Sequence, residues 1–274
     1  MANKKINRIL LKLSGEALLG KKPFGVDPDV LIFLAKEIKS LNPNTLIIFG
    51  GPNFPLENKQ REEWLRKRPF IDIYVVGDGE ESFTKIIDTW YETRDISKVK
   101  QKQIPGCYSV VNDKLHRTGE FSPRIEDLDR IPSPYLKGYL DKFLEDSRLS
   151  PLLESNRGCP FTCTFCVDGT NSRSKVYHKS VSRFNQELEY VATRYKGKIL
   201  TIADLNFGMY ARDIEISDSI ARIKEKYDYP YYIQVSAGKN NKPRILECAS
   251  IPVSYTHLRA HETLRYLVCR LLLE

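Results

Sequence analysis

Apolar residues occur along this chain in two kinds of pattern, and the alternation of the two patterns predicts an α/β fold. Short runs that are almost wholly apolar have the length and composition of buried strands. They lie at residues 6–13, 45–51, 71–76, 152–155, 198–204 and 231–237. Between these runs, apolar residues recur at helical spacing, which predicts amphipathic helices. Strands and helices in alternation, with glycine turns between them, are typical of parallel sheets that are covered by helices.

Four segments carry the helical pattern, and several have recognisable start or stop residues. Asp27 is placed to cap a helix that begins at Pro28, and Gly197 is placed to end another. The apolar positions of the four helices are Val30, Leu31, Leu34 and Ile38; Phe83, Ile86, Ile87 and Trp90; Phe184, Leu188, Val191 and Tyr195; and Ile216, Ile220 and Ile223. We expect these side chains to face the core.

The order of these elements predicts two successive α/β domains. Residues 42–97 are expected to form a partial doubly wound, Rossmann-like sheet, and residues 98–149 a linker. Residues 150–252 carry three strands with helices between them, which is how a (β/α) barrel begins. Three strands are fewer than a closed barrel needs, so the predicted barrel is incomplete.

The 274-residue chain has a net charge of +8, and the distribution of that charge argues against nucleic-acid binding. Half of the excess, +4, falls within residues 1–41, and no stripe of Lys and Arg with interleaved aromatic residues follows. No apolar run reaches the roughly 18–20 residues of a membrane helix, and the first residues lack a secretion signal. We therefore expect a cytoplasmic protein without a membrane partner.

The segment ESNRGCPFTCTFC, residues 154–166, contains three of the six cysteines: Cys159, Cys163 and Cys166. A tight cysteine cluster in a cytosolic protein indicates metal binding or redox chemistry more often than disulfides. Structural zinc usually takes two separated pairs of ligands, and no partner pair lies at zinc spacing. A 4Fe–4S cluster held by three cysteines instead keeps one iron open for a substrate. Zinc and unligated structural thiols are the alternatives.

The sequence GCPFTCTFC resembles the signature of the radical S-adenosylmethionine (radical SAM) superfamily, with Phe165 as its aromatic residue. The resemblance implies that Cys159, Cys163 and Cys166 hold a 4Fe–4S cluster whose open iron chelates SAM, with Phe165 near the adenine. It implies reductive cleavage of SAM to a deoxyadenosyl radical. It also implies an unknown small-molecule substrate and an electron donor such as flavodoxin or ferredoxin. The expected fold is then an incomplete radical SAM barrel.

Polar residues that follow the next two barrel strands are further candidates for this site. Barrel active sites lie at the carboxyl ends of the strands. Asp204 and Asn206 are therefore expected on the SAM side of the site, and Lys239 and Asn240 lie at the corresponding place after the third strand. Ordinary loop polarity is the competing interpretation of all four. The sequence assigns no catalytic residue beyond the cofactor ligands.

The segments IIFGGPNFP and IYVVGDGEESF resemble the later strands of the cobalamin-binding domain that precedes many radical SAM barrels. The resemblance implies that Gly50, Gly51, Gly77 and Gly79 let the backbone approach the nucleotide-like tail of cobalamin. Simple turn glycines are the competing interpretation. The cobalt-ligating Asp-x-His-x-x-Gly loop of the family is missing, so cobalamin is a conditional third cofactor. With it, the reaction would be methyl transfer or rearrangement.

The segments RILLKLSGEALLG and FGVDPDVLIFLAKEIK, within residues 1–41, resemble the beginning of bacterial UMP kinase. The resemblance implies contacts with ATP phosphate for Lys12, Ser14 and Gly15, because a lysine and backbone amides on a glycine loop suit that ligand. The UMP-binding and remaining ATP-binding parts of the kinase do not follow. A UMP kinase fragment, which would phosphorylate UMP with ATP, is the alternative enzyme.

Residues 253–274 resemble the translation of a sequencing adapter, with VSYTHLRAHET and LVCRLLLE as its two parts. We expect this tail to be unstructured, and we assign no metal site to His257, His261 or Cys269. The chain is then interpreted as a chimera of a kinase-like start, a truncated radical SAM protein and an adapter-derived tail. A nonfunctional chimeric reading frame is the non-enzyme alternative.

Overall fold

The structure, a computed structural model, describes residues 20, 27–51, 54–164, 166, 168–169, 173–238, 240–251 and 256–259. The predicted strand at residues 6–13, together with Lys12, Ser14 and Gly15, lies outside the described residues. The chain divides into two compact units between Arg124 and Ile125. The domain limits predicted from the sequence stay predictions.

The described part of the first unit has four helices and four strands. The helices are α1 (Pro28–Leu41), α2 (Asn58–Arg66), α3 (Glu80–Thr93) and α4 (Ile96–Gln101). The strands are β1 (Ile48–Gly50), β2 (Ile73–Val75), β3 (Cys107–Val111) and β4 (Lys114–Arg117).

The second unit begins with a short 3₁₀ helix and continues with alternating strands and helices. The 3₁₀ helix is Leu128–Arg130. The α-helices are α5 (Asp141–Leu144), α6 (Val181–Ala192), α7 (Arg212–Tyr227) and α8 (Lys242–Ser250). The strands are β5 (Leu152–Leu153), β6 (Asn156–Arg157), β7 (Tyr177–His178), β8 (Ile199–Ile202), β9 (Tyr232–Ser236) and β10 (Thr256–Arg259).

The four helices predicted from the sequence are present as α1, α3, α6 and α7. The side chain of Asp27 accepts a hydrogen bond from the Asp29 amide at 3.0 Å, so Asp27 caps α1 as expected. One predicted core position is wrong, because Phe83 on α3 is 47% exposed whereas Ile86 of the same helix is fully buried. The buried face of α3 runs through Ser82, Ile86 and Thr89, and Phe83 lies one residue off that face.

The first sheet is mixed rather than doubly wound, and its strands follow the order β1-β2-β3-β4. Strand β1 pairs parallel with β2, as predicted, but β3 and β4 form an antiparallel hairpin beside β2. The hairpin turns at Asn112 and Asp113, whose φ angles are +47° and +56°. Two consecutive left-handed residues make a tight hairpin turn that reverses the chain. Residues assigned to a linker therefore complete the sheet.

The core of the first unit is an aromatic cluster. The rings of Phe54 and Tyr74 stack at a centroid distance of 3.9 Å, and Trp64 and Tyr108 meet Phe54 edge-on. The guanidinium of Arg61 is buried in this cluster, where it donates to the Tyr108 hydroxyl at 2.5 Å and lies over the Tyr108 ring. A delocalised cation on an aromatic face retains favourable electrostatics despite its burial.

The second sheet is parallel throughout and has the order β10-β9-β8-β5. Each strand lies beside the next strand of this series along the chain, with α6, α7 and α8 in the successive connections. The carboxyl ends of all these strands therefore meet at one edge of the sheet. Residues 256–259, in the tail that we expected to be unstructured, form the strand β10 against β9.

Helices α6 and α7 pack on this sheet through the apolar positions predicted for them. Phe184, Leu188 and Val191 of α6 are fully buried, and so is Ile216 of α7. They pack in one cluster with Leu200 of β8 and other strand residues. Full burial of each such side chain contributes about 1.5–3 kcal/mol, so this core holds the sheet edge and its loops in place.

No helix in the described part of the chain combines the length and the apolar content that are needed to cross a membrane.

Candidate functional site

The cysteine loop is the segment with Cys159, Cys163 and Cys166, which lie between the short strands β6 and β7. These strands pair antiparallel, with Asn156 opposite His178, and so close the base of the loop. Arg157 makes a two-point ion pair with Glu154, with N···O distances of 2.9 Å. Strand β6, which leads into the loop, follows β5 at the carboxyl end of the edge strand of the parallel sheet.

The three thiols on this loop differ in exposure. Cys159 is buried, with 5% of its surface exposed, whereas Cys163 and Cys166 are half-buried. The Cys166 amide donates to the Cys163 carbonyl at 3.1 Å, and the Gly169 amide donates to the Cys166 carbonyl at 3.0 Å. A Cβ on Gly169 would overlap the Cys163 carbonyl and lie 2.9 Å from its amide nitrogen. Only glycine permits this close approach of two backbone segments.

The residues present fit a 4Fe–4S cluster in the type and number of donors. None of the five described cysteines is in a disulfide, so the three loop thiols are available as ligands. Among the described residues, no three Cys, His, Asp or Glu side chains are gathered closely enough to hold a metal ion. Metal binding and local folding are coupled, so ligands can gather as a metal binds.

Asp204 joins the loop after β8 to the start of the cysteine segment. It is 1% exposed, and its Oδ1 accepts hydrogen bonds from the backbone amides of Ser155 and Asn156 at 2.8 and 3.1 Å. Its Oδ2 accepts from Asn156 Nδ2 at 2.7 Å and from the Ser155 hydroxyl. Four hydrogen bonds thus hold two neighbouring loops together at the carboxyl edge of the sheet.

Burial raises the pKa of the Asp204 carboxyl to about 7, although its hydrogen bonds lower it. The nearby carboxyl of Asp213, at the start of α7, raises it further. Asp213 is itself fully buried, and burial raises its pKa. Its Oδ2 accepts from the amides of Gly208 and Tyr210 at 2.9 and 3.0 Å, whereas its Oδ1 has no hydrogen-bond partner in the described part of the chain.

Asn206, in the loop after β8, contacts one of the three thiols directly. It is 2% exposed, and its Nδ2 donates to the Sγ of Cys159 at 3.2 Å. Its Oδ1 is buried without a hydrogen-bond partner among the described residues. A buried acceptor without a donor is costly, and such atoms call for an explanation such as a bound ligand. The structure thus brings Asn206 to Cys159 and Asp204 to the base of the same loop.

Arg212, which the sequence analysis missed, braces the other side of the loop base. Its guanidinium donates to the carbonyls of Ser155 and Lys179 at 3.0 and 2.5 Å, and it lies 3.2 Å from His178 Nδ1. Desolvation and the Arg212 charge both lower the pKa of His178, which favours the neutral ring as the acceptor. No motif marks Ser155, Asn156 or Arg212 in the sequence, because their roles come from partners that lie 33 to 57 residues away.

The four glycines predicted to face cobalamin have two different surroundings. A Cβ on Gly51 or Gly79 would meet nothing within 4 Å, so the backbone there borders open space. A Cβ on Gly50 would touch the Val75 carbonyl at 3.4 Å, and one on Gly77 would lie 3.5 Å from the Ser122 amide. Gly50 and Gly77 therefore face the protein's own backbone.

Several predicted positions cannot be placed in this site. Phe165, Lys239, His261 and Cys269 lie outside the described residues, and only the backbone of His257 is described. Asn240 is exposed at the carboxyl edge of the second sheet. The roles assigned to all of these from the sequence stay predictions.

Comparison with curated proteins finds relatives of one kind over most of the chain. It is 31% identical over 241 residues to the cobalamin-dependent radical SAM methyltransferase TokK of Streptomyces tokunonensis, which covers 81% of the chain and 34% of TokK. It is 30% identical over 239 residues to the 2-(S-pantetheinyl)-carbapenam-3-carboxylate methyltransferase of Streptantibioticus cattleyicolor, with the same coverage. The chain thus spans about a third of the length of these relatives. No protein-family model matches it.

Solved structures with the same fold are radical SAM proteins as well. The TsrM methyltransferase from Kitasatospora setae, solved with cobalamin and a [4Fe-4S] cluster bound, is similar with a TM-score of 0.57 and 15% identity. That alignment covers 82% of this chain and 43% of TsrM. The cobalamin-dependent radical enzyme OxsB aligns with a TM-score of 0.55 and 15% identity, over 81% of this chain and 31% of OxsB. At these identities, the likeness supports the fold alone.

A short segment has a different relative. It is 50% identical over 56 residues to uridylate kinase of Limosilactobacillus reuteri, which covers 19% of the chain and 23% of the kinase. The resemblance to UMP kinase is thereby confirmed. The recognition of the larger part from its cysteine loop is confirmed as well, since its relative TokK is a cobalamin-dependent radical SAM methyltransferase.

Proposed function

We propose that this chain, a radical SAM protein by homology, is part of an enzyme that cleaves S-adenosylmethionine at a 4Fe–4S cluster held by Cys159, Cys163 and Cys166. One observation carries the proposal: the segment that leads into the cysteine loop follows a parallel strand, and Asp204 ties that segment, at Ser155 and Asn156, to the loop of the neighbouring strand. When bound, the cluster and SAM supply a one-electron cleavage that yields a deoxyadenosyl radical.

Residues of the neighbouring loop are proposed to orient SAM and the cluster ligands. The unpartnered Oδ1 of Asn206 lies on the side chain that contacts Cys159, and it suits the amino group of SAM as an acceptor. The carboxylate of Asp204 is occupied by Ser155 and Asn156, so we propose that it serves SAM binding through the loop. Phe165 is proposed to flank the adenine, on the strength of the resemblance.

The second sheet is proposed to be the first part of a radical SAM (β/α) barrel. Its strands β5, β8 and β9 are parallel and lie in chain order, with a helix between successive members. Barrels add their strands in this sequential order, whereas doubly wound sheets reverse direction at a switch point. Reactive groups at a barrel are expected at the carboxyl edge, where the cysteine loop lies.

The whole protein's reaction is proposed to be cobalamin-dependent methyl transfer to a small molecule. The open backbone at Gly51 and Gly79 supports cobalamin in the first unit, and the relative TokK supports methyl transfer. Flavodoxin or ferredoxin is proposed as the electron donor. A cytoplasmic location is proposed because the described cysteines are thiols rather than disulfides.

Anaerobic reconstitution with iron and sulfide tests the proposed cluster. We expect about four irons per chain and a brown chromophore, as for a 4Fe–4S centre. Cys163→Ala is expected to lose both. Cys248→Ala is the matched control, because Cys248 is a buried thiol of the same unit that lies on α8, outside the loop. A colourless protein that binds one zinc would overturn the proposal.

The kinase-like segment carries a second candidate function, ATP-dependent phosphorylation of UMP. The 50% identity to uridylate kinase favours it, but the match covers 23% of that enzyme. We expect no UMP-dependent turnover of ATP by the intact chain, which a coupled assay measures. Turnover that is lost in Lys12→Ala would revive the kinase as the chain's activity.

A further inference from the structure

The contact between Asn206 and Cys159 is the starting observation. Asn206 Nδ2 donates to Cys159 Sγ at 3.2 Å, and both residues are almost wholly buried. Cys159 is also the most buried of the three loop cysteines. The donor and the acceptor lie on different loops, so the hydrogen bond is made by the tertiary structure.

The position of Asn206 is fixed from both sides. Two residues before it, Asp204 is held by its four hydrogen bonds to Ser155 and Asn156. Directly after it, the Phe207 amide donates to the Ser236 carbonyl at 2.8 Å. A side chain on so constrained a backbone has little freedom to leave the sulfur.

A hydrogen bond to a ligand sulfur favours the reduced state of an iron–sulfur cluster. Reduction adds one negative charge to the cluster and its thiolates, and a donated N–H stabilises that charge. Hydrogen bonds to sulfur and the degree of solvent exposure are among the factors that set cluster potentials. The effect is strongest where water is excluded, as it is at Cys159.

We propose that Asn206 is a positioning residue that raises the reduction potential of the cluster through its hydrogen bond to Cys159. The inference rests on the proposed cluster. In the step that it affects, a low-potential one-electron donor is oxidised and the cluster gains that one electron. The amide keeps its protons, and no covalent bond forms or breaks. Asn206 thus makes the electron easier to accept before SAM is cleaved.

The test is a redox titration of the reconstituted protein, followed by the electron paramagnetic resonance signal of the reduced cluster. Dithionite supplies the electrons in the presence of mediators. Asn206→Leu keeps a side chain of similar size but removes the donor. At the wild-type midpoint, we expect its ratio of reduced to oxidised cluster to be about tenfold smaller, which corresponds to a midpoint about 59 mV more negative for a one-electron couple.

Asn185→Leu is the matched control, because Asn185 on α6 also has a buried side-chain oxygen without a partner in the described residues. Its potential is expected to equal that of the wild type. An Asn206→Leu protein with full iron and the wild-type potential overturns the inference and leaves the proposed function standing. A wild-type chain that binds no cluster overturns both.

A second variant, with a smaller side chain at position 206, covers the case in which Asn206→Leu does not bind the cluster. If Asn206→Leu binds no iron, Asn206→Ala decides, since it removes the donor without filling the site. A more negative midpoint supports the inference, and an unchanged midpoint overturns it. Loss of iron from both Asn206 variants, with Asn185→Leu fully loaded, also overturns it, because Asn206 would then serve cluster assembly rather than the potential.

Discussion

The two units of this protein differ in the residues that follow their parallel strands. After β1 and β2, the first unit has glycines, two of which border open space, together with an aromatic stack of Phe54 on Tyr74. After β5 and β8, the second unit has buried carboxylate and amide groups that join one loop to the next. Glycines leave room for a bulky ligand, whereas buried polar groups need partners and therefore fix loop geometry.

The largest effect on folding is expected in the first unit, at Gly106, which the sequence analysis passed over. Its φ is +72°, and a Cβ there would lie 2.6 Å from the Cα of Ser122. Gly106→Ala should lower the free energy of unfolding by about 3 kcal/mol, through left-handed strain and overpacking against backbone. Urea unfolding measures the change. An unaltered midpoint would mean that the close contact at Gly106 does not require glycine. The contrast between the glycines of the first unit and the buried polar groups of the second would then be contradicted.

The next largest effect is expected in the second unit, at Asp204. An amide in Asp204→Asn has only one oxygen, so two of the four donors from Ser155 and Asn156 are left buried and unpaired. We expect a loss of about 2 kcal/mol in the free energy of unfolding. Asp218→Asn, at an exposed position of α7, is the matched control and should unfold like the wild type. Equal stability of the two variants would contradict the bracing role.

The pH dependence of stability sharpens the same point. The pKa of Asp204 is about 7 in the folded chain and 3.8 as its ordinary value. Between these values, the folded state binds a proton that the unfolded state does not. The free energy of unfolding therefore falls as the pH rises from about 4 to about 7. The free energy of unfolding should depend less steeply on pH in Asp204→Asn than in the wild type, as urea unfolding at several pH values measures. Asp213, whose pKa is also raised, should keep part of the pH dependence.

A smaller effect on stability but a clear one on the site is expected at Gly169. A methyl group there would push on the Cys163 carbonyl, within the loop and outside the core. Gly169→Ala should change the free energy of unfolding by less than about 1 kcal/mol, as for most changes away from the core. Bound iron should nevertheless fall well below the wild-type content. Iron analysis after the same reconstitution checks this, with Cys163→Ala as the lower limit.

The smallest effect on folding is expected at Gly79, the residue before α3. A Cβ there meets nothing within 4 Å, and an alanine in place of a helix-capping glycine costs a few tenths of a kcal/mol to about 1 kcal/mol. The urea midpoint should hardly move, but the affinity for hydroxocobalamin should drop if the open backbone borders that ligand. Undiminished binding by a stable Gly79→Ala chain would remove Gly79 from the proposed cobalamin surface.

Hydrophobic periodicity predicted α1, α3, α6 and α7 because a helix records its buried face in its own sequence, whereas α2, α4, α5 and α8 were not predicted. Ile216 and Ile220, which were predicted on one helical face, are buried on α7, and Phe184, Leu188 and Val191 are buried on α6. The strand partners were predicted less well. The hairpin of β3 and β4 lies in residues taken as a linker, because pairing beside β2 depends on a turn at Asn112 and Asp113 that the apolar pattern does not record.

The sequence by itself determined that three thiols lie within eight residues, and that spacing predicted which thiols can share a metal centre. It also determined the α/β class, the resemblance of the larger part to radical SAM proteins and the resemblance of a short segment to UMP kinase. Only the tertiary structure decided which distant residues serve that loop: Asp204 at Ser155, Asn206 at Cys159, and Arg212 at its base. The physical reason is that buried hydrogen bonds form between elements far apart in sequence, and neither partner carries a local signal of the other.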